Sequence, residues 1–352
     1  MTITVLAFFD RISLFHTLKP FYLCASGHRF SITDSSEWCL TRDRNRILIM
    51  ERCFLKPDVV DYDLLRRLRD KYERIAFFNG NAGGGIHRPG VLPFVDLFYN
   101  KSLFRNRAVY RRRLYANELF ADYYHTRHGV ADDPDKTAEA VTDPALAAKL
   151  RVSWNVGIGD FPRRNLRQRA GVALARMFGG RWARPFFATR PWRPRQNSGA
   201  IAVHARFGYA AQRSIACHRR VLADKISGHP AFVTGQVSQK RFNWEVQNSR
   251  IILSPFGWGE LCFRDYEAVQ SGALLVKPDM SHLETWPDIF VPGETYVPVA
   301  WDASDVIEKC EHYLAHESER RRIVANARQA YREQVDRLCE RWERTLAEIA
   351  GR

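Results

Sequence analysis

Between Ser254 and Pro278 the chain sets Gly257, Trp258, Gly259 and Glu260 ahead of Arg264, Glu267 and Gly272. Two glycines in a loop let the backbone approach a ligand closely, and a helix starting near Cys262 offers free N–H groups to a phosphate. Arg264 and Glu267 stand three residues apart and so share one helix face. A guanidinium there can fork onto a pyrophosphate, while the carboxylate accepts hydrogen bonds from ribose hydroxyls. The same spacing also suits an ordinary surface ion pair. Helix stability does not account for the Gly-Trp-Gly loop or for Gly272, and both favour the binding reading.

Buried strand, glycine loop, Arg-x-x-Glu-Ala on a helix and then Ser-Gly-Ala before a hydrophobic strand resemble the donor-binding half of GT-B glycosyltransferases, in their spore-coat-like and exostosin-like form. The resemblance covers about residues 200–330; the first half is similar only in fold. It implies a nucleotide-activated sugar as donor substrate, gripped between two Rossmann-like domains, with no cofactor and no metal required. By position it implies that Glu267 binds the donor ribose and that Arg264 holds the diphosphate or the loop that does so. It also makes Arg206 a phosphate-clamping cation, with Lys240 or Arg241 as a weaker second. Many retaining members carry a further glutamate eight residues before the ribose-binding one. That position is Gly259 here, with Glu260 beside it, so neither retention nor inversion is assigned.

Sugar transfer needs fixed positive charge on the departing phosphate, and an inverting enzyme needs a base on the acceptor hydroxyl. Candidates for that base are His87, in the glycine loop 79–88, together with Asp96 and Asp10. Each also has an ordinary reading as a capping, turn or solvated residue. His282 and Glu284, after the last motif strand, are candidates for donor-sugar hydroxyls. His125 and His128 lack a third ligand nearby, and the glycine run 80–85 lacks the Gly-Lys-(Ser/Thr) of a P-loop.

Alternating strands and helices must position these groups. Apolar runs at 3–9, 47–50, 75–78 and 152–155 predict strands in the first half, with helices over 61–72 and 106–127 and an exposed loop over 131–145. Beyond 195 the alternation is clean: strands at 200–204, 231–234, 251–254 and 273–276, with helices at 212–225, 239–248, 262–270 and 302–316. A long helix over 317–349 follows. This α/β pattern implies two doubly wound, Rossmann-like domains with right-handed crossovers. The expected division is 1–195 as acceptor-side domain, 196–316 as nucleotide-sugar domain, and 317–352 as a helix packing back across both.

The 352 residues carry 54 Lys and Arg against 39 Asp and Glu, a net charge of +15 that predicts an anionic partner. Ten arginines and no acid fall within residues 161–195, interleaved with Phe and Trp. Such a segment suits peripheral contact with an anionic membrane, a solvated connector, or nucleic acid. The expected activity is therefore metal-independent glycosyl transfer to a saccharide or lipid-linked acceptor in cell-surface polysaccharide or lipopolysaccharide synthesis. The alternatives are a basic nucleic-acid-binding protein, for which no RRM, KH, helix-turn-helix or zinc-finger signature is present, and a silent saccharide- or nucleotide-binding scaffold. Seven dispersed cysteines and an opening that reads as a strand rather than a signal peptide predict reduced thiols and a cytoplasmic place, on the inner face of the membrane.

Overall fold

The computed structural model describes residues 2–51, 60–132, 139–159, 165–180, 184–187, 196–209 and 213–351. In the first half, strands β1 (Thr2–Leu6), β2 (Arg29–Thr33), β3 (Ile47–Glu51), β4 (Arg74–Phe78), β5 (Leu97–Asn100), β6 (Ser102–Phe104) and β7 (Leu150–Val152) accompany helices α1 (Lys19–Leu23), α2 (Ser36–Thr41), α3 (Tyr62–Lys71), α4 (Leu119–His128) and α5 (Pro144–Ala147). Helices α6 (Asn165–Phe178) and α7 (Arg184–Phe187) follow. The second half runs β8 (Ile201–His204), α8 (Arg213–Ile226), β9 (Phe232–Val233), α9 (Gln239–Gln247), β10 (Ser249–Leu253), α10 (Phe263–Ser271), β11 (Leu274–Pro278), β12 (Leu283–Thr285) and β13 (Val297–Val299). Helices α11 (Val306–Ala315), α12 (Glu317–Asp336) and α13 (Leu338–Ile349) close it.

Two sheets result, ordered β2-β1-β3-β4-β5-β7 and β13-β11-β10-β8-β9, with every pairing parallel. A parallel sheet needs both faces covered, which is why β3 and β11 are buried at every position. Local signals set the helix ends. Asp61 Oδ1 accepts the Leu64 N–H at 2.9 Å to start α3. Gly272 ends α10 with φ of 76°, and a Cβ there would lie 2.4 Å from the Arg328 guanidinium.

The lobes are joined in three ways. β6 pairs antiparallel with β12 across the domain boundary. One hydrophobic cluster runs from Phe104, Tyr110 and Phe120 into Phe256, Leu261, Met280 and Leu283. Finally, α13 returns to the first domain, where Trp342 is fully buried against Phe21 and Trp154 and Glu348 accepts from Tyr99 Oη at 2.7 Å.

Four expectations need correction. The helix predicted over 106–127 begins only at Leu119, because Ala116 and Asn117 hold positive φ (52° and 58°) and break the path. The helix over 317–349 divides at Arg337 into α12 and α13, which lets α13 turn onto the first domain. The strand near 152–155 is Leu150–Val152. Cys24 and Cys339, 315 residues apart, form a disulfide between α1's end and α13, so the expectation of reduced thiols does not hold for this pair. Of the loop predicted over 131–145, residues 133–138 lie outside the described residues and Asp132 is buried.

Candidate active site

Each sheet reverses its strand order beside one strand: the first between β1 and β3, the second between β8 and β10. Ligands of doubly wound folds sit outside the carboxyl ends of the strands at that reversal. The two reversal points face each other. His16, in the segment after β1, lies with its ring 5.1 Å from that of Phe263, the first residue of α10. Burial, and then the nearby charges of Lys101, Lys19 and Arg11, push the His16 imidazolium well down.

Three guanidiniums converge beyond β8 and β10. Arg206 grips Glu245 with Nε at 2.5 Å and Nη2 at 3.1 Å. Arg264 Nη2 donates to the Arg206 carbonyl at 2.5 Å, and its buried Nε has no hydrogen-bond partner. Arg219 donates to the carbonyls of Phe256 (3.1 Å) and Gly208 (2.7 Å). Burial pulls the Arg264 pKa down, and the Glu267 carboxylate on the same helix face opposes that pull. Glu267 itself is half-buried. Burial pushes the Glu245 carboxyl up, but hydrogen bonds from Arg206 and Arg241 outweigh it and leave it below the usual range. His204, at the end of β8 and 3.7 Å from Glu245, is brought down to about 3 by burial and by Arg264.

The loop after β10 meets the glycine loop of the first domain backbone to backbone. Leu261 N–H donates to the Ala82 carbonyl at 2.9 Å, and a Cβ on Gly259 would stand 2.3 Å from Gly83 N. No side chain fits at 259 while the lobes meet this way, which is a physical reason for glycine there. Glu260 turns inward: it accepts from Gly84 N–H at 3.3 Å and lies 3.2 Å from His282 Nε2. Across the boundary, Glu118 accepts from Gly85 N–H at 3.1 Å and sits 2.7 Å from His87 Nε2. The Glu118 and Glu260 carboxyls are neighbours in this buried boundary. Burial first, then the Glu260 charge, raises the Glu118 pKa well above the carboxylate range. A chain His87–Glu118–Glu260–His282 thus crosses from one lobe to the other.

The remaining candidates fall as follows. Asp10 follows β1, accepts the Ser13 N–H at 2.8 Å and lines a cavity of about 430 Å³ with Arg11, Arg169, Val172, Ala173 and Arg176. Asp96 lies at the amino end of β5, remote from the carboxyl ends. It accepts from Arg69 and from Ile75 N–H, each at 2.7 Å, so it is a structural residue and no candidate base. Glu284 pairs with Arg107 at 2.5 Å instead of facing the donor crevice. Lys240 is exposed on the first turn of α9, whereas its neighbour Arg241 reaches Glu245 at 2.7 Å. Trp258 is 69% exposed at the loop tip, and Gly257 packs near Arg219 Nη2. The helix start is less open than expected, because Asp265 accepts the Cys262 N–H at 2.9 Å. Of the basic segment 161–195, residues 161–164, 181–183 and 188–195 lie outside the described residues.

Sequence reasoning missed Glu118, Glu245 and His16. Glu245 carried a signal, standing four residues after Arg241 on a helix. Glu118 carried none beyond an acid ahead of a helix, because its partners come from two distant loops, the glycine loop of the first domain and the loop after β10.

Residues 195–346 match a sequence family described as glycosyl transferase-like. No curated protein matches the chain. Among solved structures the chain is similar to an alpha-glucosyltransferase in complex with UDP, at 9% identity and TM-score 0.47 over 99% of this chain and 100% of that one. It is similar to a DNA-modifying beta-glucosyltransferase at 11% identity and TM-score 0.47, over 99% of each chain. It is also similar to HepE of Anabaena in complex with UDP-glucose, at 8% identity and TM-score 0.45 over 99% of each. No described helix is long and apolar enough to cross a membrane. The glycosyl transferase-like sequence thus lies on the second of two Rossmann-like domains, whose reversal points meet.

Proposed function

We propose that the protein transfers a sugar from a nucleotide-activated donor, held at the carboxyl ends of β8 and β10, to a saccharide or lipid-linked acceptor on the side of β1. The observation that carries this is the convergence of Arg206, Arg219 and Arg264 on the loops after those two strands, with Glu267 on the adjoining face of α10. Fixed guanidiniums stabilise the charge that develops on the leaving diphosphate, and because they are already in place they need no reorganisation as it departs. In this reading the reaction needs no metal ion. Glu267 accepts the ribose hydroxyls and sets the donor's position.

Asp10 is the base we favour. It stands at the first sheet's reversal point, on the segment that faces α10, and it lines an open cavity. His87 is already bound to Glu118, so it positions the glycine loop. A pathway building cell-surface polysaccharide, with the protein at the inner face of the membrane, is consistent with the arginines and exposed apolar side chains of α6.

A panel of UDP-, GDP- and CMP-sugars tests the reading. Binding and turnover of one donor are expected. Glu267→Ala should remove donor binding while leaving thermal unfolding intact. Asp10→Asn should lower kcat by about 10²–10⁴-fold at little change in donor KM. A folded protein that binds no donor in the panel refutes the proposal.

A further inference from the structure

Helix α6 presents Arg169, Val172, Ala173 and Arg176 at spacings of three and four, so all four share one face. That face forms one wall of the cavity of about 430 Å³ whose other wall is Asp10 and Arg11. Three arginines and one carboxylate therefore line it. Asp10 already accepts the Ser13 N–H, and Arg176 Nε is anchored on the Phe9 carbonyl at 3.0 Å, so that arginine is held in place. Val172 and Ala173 give the cavity an apolar floor. Leu166, Met177 and Phe178 on the same helix are 83%, 71% and 57% exposed. The donor's phosphates have their own cations beyond β8 and β10, on the other lobe.

From this we infer that the cavity beside Asp10 binds a phosphate group carried by the acceptor, with Arg11, Arg169 and Arg176 as its cations. The inference rests on the proposed acceptor side and adds the chemical class of what binds there. An arginine fork matches phosphate oxygens in pairs, and the apolar floor takes the carbon skeleton next to the phosphate. A sugar phosphate and a lipid phosphate share this chemistry; the exposed apolar residues elsewhere on α6 suit the second.

Direct binding to the full chain tests the inference without any need for turnover. Calorimetric titrations would use glucose 6-phosphate, dodecyl phosphate and the neutral dodecyl glucoside. One phosphate probe should bind at least tenfold more tightly than the neutral one. Tighter binding of glucose 6-phosphate identifies a saccharide acceptor, and tighter binding of dodecyl phosphate a lipid one. Arg169→Glu should weaken the phosphate probe at least tenfold. Ala173→Phe, at an exposed position, should do the same by filling the cavity while leaving its charge alone. Unchanged affinity in both variants, or equal affinity for the phosphate and neutral probes, overturns the inference. A thermal-shift measurement with nucleotides on the same variants separates the two failures: donor binding without phosphate binding refutes this site alone.

Discussion

Replacing Glu118 by glutamine should change how the protein's stability responds to pH, and the direction follows from burial. Glu118 lies in the domain boundary with Gly85 N–H and His87 as partners, and burial, then the neighbouring Glu260 charge, favours its protonated form. Its pKa is raised in the folded protein, so between the ordinary carboxyl value and that raised value the native state holds one proton more than the unfolded chain. Stability therefore falls with rising pH in that window, by about 1.4 kcal/mol per pH unit for a single proton. Below the window the stabilisation is complete. Above it, Glu118 is ionised beside Glu260 and the contribution is gone. Glutamine copies the protonated state: it is uncharged beside Glu260, still accepts from Gly85, and does not titrate. Groups common to both proteins cancel in the difference. Urea unfolding followed by tryptophan fluorescence, from pH 4 to 9, should show wild type losing ground to Glu118→Gln as pH rises. Parallel curves, or wild type gaining on the variant, would refute a raised Glu118 pKa in the folded protein.

Three further substitutions probe the frame around the site. Gly259→Ala places a Cβ 2.3 Å from Gly83 N, so the two loops must part; a loss of about 1–3 kcal/mol in urea unfolding is expected, with the glycine loop more open to proteolysis. Asp96→Asn should cost about 1 kcal/mol through the Arg69 contact and leave kcat unchanged, since the residue lies at the far end of the sheet. Trp342→Ala should destabilise by about 3–5 kcal/mol, because the fully buried indole seals α13 onto the first domain; a change under 1 kcal/mol would mean that α13 does not hold the lobes.

The fold was largely legible because parallel strands buried on both faces must be continuous apolar runs. Ile-Leu-Ile-Met at 47–50 and Ala-Leu-Leu-Val at 273–276 say so without any partner in view. The Arg264–Glu267 spacing and Gly272 were equally local, each decided within a helix turn. What proved illegible depends on segments far apart in the chain. Asp96 and Asp10 are both acids next to a strand of one parallel sheet, but Asp10 follows β1 and lies at the carboxyl end, whereas Asp96 precedes β5, a strand absent from the expected set, and lies at the amino end.

The sequence by itself thus determined two doubly wound domains and the placement of a guanidinium and a carboxylate on one face of α10. Tertiary structure alone decided that Glu118 and Glu260, 142 residues apart, are buried side by side, which raises the Glu118 pKa. It also decided that Cys24 meets Cys339, and that Gly259 must have no side chain. The physical reason is range. Hydrophobic period and helix-face spacing act over a few residues, whereas desolvation and close approach between lobes depend on every loop that closes the boundary.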